Sequence, residues 1–181
     1  INYLIGKPLP TYGTDETLNI IKSRFGYAFS DYKLGNNWRR PCLEPKVLPK
    51  FWSEFAIGDL KVKSFPQQHG GSESVGYIVN NNVAYSTDFN LLNKDTIKRL
   101  KNIKVWIIDC LGYDKHPTHA NLETTLNYIN QVKPSIAILT HMSHQFDYNT
   151  IMNQTPDSVF PAFDGMEIEV TNKSNPIIIN R

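Results

Sequence analysis

The sequence predicts a mixed α/β fold, and three observations predict it. Short apolar runs broken by Gly and Asn turns fill the first half of the chain. From Asn93 onward, helical and strand patterns alternate in β-α-β-α order. The strands of that second half, in VWIID and SIAILTH, are apolar on both faces, as strands covered on both sides are. With 181 residues, 40% of them hydrophobic, the chain is long enough for one domain with a substantial core, taken as residues 1–181.

Taken in order, Lys7 to Tyr12 reads as a strand. Thr14 then caps a helix from Asp15 to about Arg24, with Leu18, Ile21 and Phe25 at helical spacing. Residues 32–49, YKLGNNWRRPCLEPKVLP, are rich in Gly, Asn and Pro, carry Trp38, Arg39 and Arg40, and read as an irregular surface excursion whose arginines are solvated charges or meet a phosphate. EFAIGDLKVKSF, residues 54–65, forms a hairpin around Gly58-Asp59. A second hairpin pairs Gly76–Val79 with Val83–Ser86 across Asn80-Asn81-Asn82, because asparagine tolerates positive φ. A short helix over KDTIKRL, a strand over VWIID, a helix over NLETTLNYINQV, a strand over SIAILTH and a helix over DYNTIMNQ follow. Strands near 166–170 and 176–179 close the chain.

Composition excludes several classes. The formal charge is only +2 with dispersed lysines, so neither a nucleic-acid tail nor a polybasic membrane patch is present. No apolar stretch approaches 18 residues and no signal-peptide pattern occurs. Cys42 and Cys110 lack zinc-ribbon or redox spacing, which points to a reduced, cytoplasmic protein, and the sequons at Asn153 and Asn172 then carry no meaning. The chain opens INYLIGKPLP without an initiator methionine, which reads as a fragment.

All five histidines, His69, His116, His119, His141 and His144, fall in loops or at strand ends. His69 precedes one strand of the second hairpin and Asp88 follows the other, so the hairpin brings imidazole and carboxylate to one end of the sheet. The strand SIAILT runs into His141, and VWIID delivers Asp109 before a loop carrying His116 and His119. Open α/β sheets place their chemistry at the carboxyl ends of strands, so His69, Asp88, His119 and His141 converge on one edge as metal-ligand types.

HGGSESVGY, VAYSTDFN, WIIDCLGYDKHPTHANLE, ILTHMSHQFDY and FPAFDGMEIEV, in this order, resemble the metallo-β-lactamase fold hydrolases, and within them the PhnP-type phosphoribosyl cyclic phosphate phosphodiesterases. The resemblance implies a β-sandwich flanked by helices, the αββα metallo-β-lactamase fold, with two divalent metal ions, zinc or manganese, at one edge. It implies that His69 ligates the first metal, Asp88 bridges both and His141 ligates the second. Two such cations polarise phosphoryl oxygens and acidify a water, which suits hydrolysis of a cyclic phosphate or related phosphodiester. His119 matches the catalytic position facing the scissile phosphate. His144 matches a position that joins N-terminal cysteines around a structural zinc. Those cysteines are absent here, so His144 reads as a surface residue or a support behind the ligands. His116 is explained by the turn before Pro117. Asp109 and Asp164 read as carboxylates orienting ligand imidazoles or as loop caps.

The family's His-x-His-x-Asp-His motif has no counterpart, since no histidine precedes His69. The expectation is an N-terminally truncated domain comprising its C-terminal two-thirds, with an incomplete ligand set, little activity in the isolated chain and an exposed sheet edge through which it dimerises. The alternatives are a non-catalytic remnant or interaction module of the same fold, and an RNA-processing relative. The expected partner is a small phosphodiester, with neither nucleic acid nor membrane.

Overall fold

The computed structural model describes residues 7–29, 43–171 and 175–179. Its contacts divide the chain into two compact units, Ile1–Lys50 and Phe51–Arg181. In the first, β1 (Leu9–Gly13) leads into α1 (Asp15–Arg24), a 3-10 turn follows over Gly26–Phe29, and β2 (Leu43–Val47) pairs with β1 in parallel. The Thr14 side chain caps α1 by accepting the Thr17 amide at 3.2 Å. Asp15 and Glu16 in the first turn, with Lys22 and Arg24 in the last, complement the helix dipole. Leu18 is buried as the spacing predicts, but Phe25 is 49% exposed. The helix ends before Phe25, so that ring leaves the helical stripe and meets Tyr27 edge-on instead.

The strand β2 corrects the reading of 32–49 as wholly irregular. Pro45 masks it in the sequence, yet a proline lacking an N–H fits a sheet of only two strands. Trp38, Arg39, Arg40, Cys42 and Asn172 lie outside the described residues.

The second unit is built on a seven-stranded mixed sheet. β3 (Glu54–Ile57), β4 (Leu60–His69), β5 (Ser72–Val79) and β6 (Val83–Ser86) form an antiparallel meander. β7 (Val105–Asp109), β8 (Ile136–Thr140) and β9 (Val159–Pro161) continue it in parallel, reached through α2 (Lys94–Leu100), α3 (Leu122–Val132) and α4 (Tyr148–Gln154). Asn93, Asn121 and Asp147 cap the three helices by accepting the amide three residues on. A small antiparallel pair joins β10 (Ile168–Glu169) to β11 (Ile177–Ile178). This is the mixed α/β class that the sequence predicts.

Two differences matter. The predicted strand stops at Phe65, whereas β4 runs on to His69 and merges the two hairpins into one meander. Pro66 is accommodated because β3 pairs only with residues 60–63, and the neighbouring Gln68 amide turns away from β5 to donate to Leu91. The three-residue β9 went unseen because so short a run containing a proline shows no period.

The core of this unit gathers the fully buried Phe65, Phe89, Trp106, Ile108, Leu139 and Ile151. Trp106 satisfies its indole N–H on Ser86 Oγ at 3.0 Å. Among the described residues no helix is long and apolar enough to cross a membrane.

Candidate metal centre

The strands β4, β6, β7 and β8 run in one direction, so their carboxyl ends share an edge of the sheet. His69 is the last residue of β4, Asp88 lies two beyond β6, Asp109 ends β7 and His141 follows β8. His119 sits on the loop between β7 and α3.

That loop is stitched in place by the backbone. Leu111 N–H donates to Ala120 O, Ala120 N–H to Phe89 O, Leu122 N–H to Gly112 O and Ser143 N–H to Leu111 O, all within 2.8–2.9 Å. His69 meets it through Nδ1, which lies 2.8 Å from Thr118 O. A carbonyl only accepts, so this bond puts the proton on Nδ1 and leaves the Nε2 lone pair of His69 available to a cation. The approach depends on Gly70, which has a positive φ of 63°. A Cβ there would stand 2.7 Å from Thr118 Cγ2 and 3.3 Å from Pro117 O. Asn90 braces the same junction, accepting Gly70 N–H at 3.0 Å and donating to Pro117 O at 2.9 Å.

The histidine rings form a contiguous group. His119 lies 4.7 Å from His69 edge-to-face and 4.7 Å from His141 in a stacked arrangement. Asp88 Oδ1 lies 3.9 Å from His141 Nε2. Asp88 and His141 both adopt left-handed backbone, with φ of 55° and 60°, a conformation that disfavours side chains and persists where the surroundings impose it. His119 Nδ1 lies 3.0 Å from Asp109 Oδ2, and the same oxygen accepts Phe89 N–H at 3.3 Å.

Asp109 has no solvent exposure, and its Oδ1 has no hydrogen-bond partner. Burial pushes its carboxyl above the usual range, against the bond from His119, the charges of His141 and His119, and the Phe89 amide.

Two donor groups result. The ligating atoms of His69, Asp88 and His119 lie within 4.8 Å of one another, and so do those of Asp109, His119 and His141. Nitrogen and carboxylate oxygen donors at this spacing fit a borderline divalent ion. The sequence places two protein ligands on each metal; in the structure His119 stands in both donor groups, while Asp109 reaches its group through the bond to His119. Of the two readings that the sequence left open for Asp109, the bond to His119 across ten residues is that of a carboxylate orienting an imidazole.

The remaining candidates belong to neither donor group. His116 is exposed, its Nδ1 engages Thr118 as the turn before Pro117 predicts, and its ring lies 5.2 Å from that of His119. His144 is exposed. Asp164 is exposed in a turn closed by Met166 N–H on Phe163 O, and among the described residues it makes no hydrogen bond to an imidazole.

A family model described as the beta-lactamase superfamily domain matches residues 3–142. An octanoyltransferase of Porphyromonas gingivalis is 25% identical over 170 residues, which are 92% of this chain and 33% of that protein. A diphosphatase of the PhnP family superposes with a TM-score of 0.80 at 23% identity, covering 94% of this chain and 62% of that one. Zinc-bound PqqB from Methylobacterium extorquens gives a TM-score of 0.67 at 13% identity, covering 88% and 64%. The chain therefore spans a third of the P. gingivalis protein and under two-thirds of each of these structures. By the extent of the family match and the fold it shares, the chain belongs to the β-lactamase superfamily and carries the metallo-β-lactamase fold.

Proposed function

We propose that this chain supplies part of the centre of a metal-dependent phosphodiesterase acting on a cyclic phosphate or related phosphodiester. The convergence of His69, Asp88, His119 and His141 at one sheet edge, with His119 held by buried Asp109, carries this reading. The superposition on a PhnP-family diphosphatase supports the choice of a phosphate substrate. Acyl transfer is not adopted from the P. gingivalis relative, because the match covers a third of that protein.

In this reading two divalent ions, zinc or manganese, would be held, one by His69 through Nε2 with Asp88 and the other by Asp88 with His141. The metals, when bound, would supply positive charge for the phosphoryl oxygens and lower the pKa of a bound water. His119 donates Nδ1–H to Asp109 and presents Nε2 to the site. Protonated there, it hands its proton to the leaving alkoxide oxygen, and the Asp109 carboxylate stabilises the imidazolium before that transfer. Asp109 thus acts through His119, holding its tautomer and orientation.

The donor groups favour one second reading, in which His119 is itself a ligand through Nε2. Elemental mass spectrometry on dialysed protein, alongside hydrolysis of a generic phosphodiester with added zinc or manganese, tests both. The expected result is metal uptake by the wild type that is lost in Asp88→Ala and His141→Ala, with turnover slow in the chain alone. His119→Ala retaining metal but losing turnover marks an acid; losing both marks a ligand. Uptake no greater than that of Asp88→Ala would overturn the proposal.

A further inference from the structure

The segment that carries Asp88 is held group by group. Gln67 Nε2 donates to Thr87 O at 3.0 Å, and Ser74 Oγ donates to Asp88 O at 2.6 Å. Phe89 N–H donates to Asp109 Oδ2, Ala120 N–H to Phe89 O and Asn90 N–H to Gln68 O. Gln67 Nε2 also reaches Ser74 Oγ at 3.2 Å, so the polarity runs from Gln67 through Ser74 to the Asp88 carbonyl. Since a carbonyl only accepts, both amide orientation and hydroxyl direction are determined.

Gln67 is poorly suited to fill space. It is 2% exposed, sits beside Phe65 and Gly76, and leaves its Oε1 without a partner. A buried amide with half its capacity unused destabilises a fold relative to an apolar side chain of the same shape. What Gln67 does accomplish is local: it holds the carbonyls on either side of the Asp88 Cα, directly and through Ser74. Asp88 is the next residue to adopt left-handed backbone, at φ 55°.

We propose that Gln67 and Ser74 are positioning residues for Asp88, clamping its left-handed backbone so that its carboxylate faces His69 and His141. The inference rests on the reading of Asp88 as a metal ligand. Outer partners that orient a ligating carboxylate typically govern metal affinity by about 10–100-fold.

The test uses Ser74→Ala, Gln67→Met and the hydroxyl-retaining Ser74→Thr. Zinc affinity is measured by competition with a chromophoric chelator, and amide hydrogen exchange at Asp88 and Phe89 is followed by NMR in metal-free protein. Ser74→Ala and Gln67→Met should weaken zinc binding by roughly tenfold or more and speed exchange at both amides. Ser74→Thr should keep both near wild type, and Gln67→Met should keep or raise the unfolding midpoint, which separates positioning from stability. Wild-type affinity in Ser74→Ala and Gln67→Met, or weakened binding with unchanged exchange, would overturn the clamp alone. A wild type that takes up no zinc would overturn the metal reading itself, before any variant is compared.

Discussion

The buried Asp109 and the half-buried His119 form a carboxylate–imidazole pair, Oδ2 to Nδ1 at 3.0 Å, at the point where the end of β7 meets the loop that precedes α3. The same oxygen accepts Phe89 N–H, so one carboxylate ties the His119 loop to the segment that carries Asp88. Removing it would loosen both sides of the candidate centre while relieving a buried charge.

That relief has a definite sign. Burial raises the Asp109 carboxyl above its ordinary 3.8, so the folded state binds the proton more tightly than the unfolded chain does. Its contribution to stability is full below the unfolded pKa and is lost as pH rises through the folded value. Asp109→Asn removes this dependence. In metal-free protein the unfolding midpoint of Asp109→Asn should therefore gain on that of the wild type as pH rises from about 4 to about 7. A gap constant across that range would show that the imidazolium of His119 fully compensates the carboxylate.

Gly76 should be intolerant of substitution. A Cβ there would stand 2.3 Å from Phe65 Cζ and 2.6 Å from Gln67 Oε1, both in buried side chains. Gly76→Ala is expected to cost about 1–3 kcal/mol or more by overpacking. Gly71, where nothing lies within 4 Å, should accept alanine within about 0.5 kcal/mol. Denaturant unfolding of the two variants decides, and equal midpoints would refute the packing argument.

Cys110 should be inert in the native state. Burial pushes its thiol from 9.0 up to about 12, aided by the charge of Asp109 and opposed by a hydrogen bond with Thr125. Alkylation near pH 8 should require unfolding. The same shift lowers stability as pH climbs from the unfolded value toward 12, by about 1.4 kcal/mol per unit from this group. Cys110→Ala should flatten that alkaline decline in unfolding measurements between about pH 9 and 10.5, and parallel declines would show that the thiol does not contribute.

The sequence by itself determined the elements whose signals are local. The cap at Thr14 acts within three residues, and the two-sided apolar runs of β7 and β8 are visible without partners. It also marked His69, Asp88, His119 and His141 as one group, because parallel strands deliver their carboxyl ends to a common edge. Only the tertiary structure decided what depends on register across distant segments. The extension of β4 to His69 rests on its eight-residue pairing with β5, and β2 exists only because β1 pairs with it. The His69 bond to Thr118 spans 49 residues, and the hold of Gln67 on Thr87 spans 20. Such contacts arise when strand pairing and loop closure bring side chains within 3 Å, a length scale that no local pattern of residues encodes.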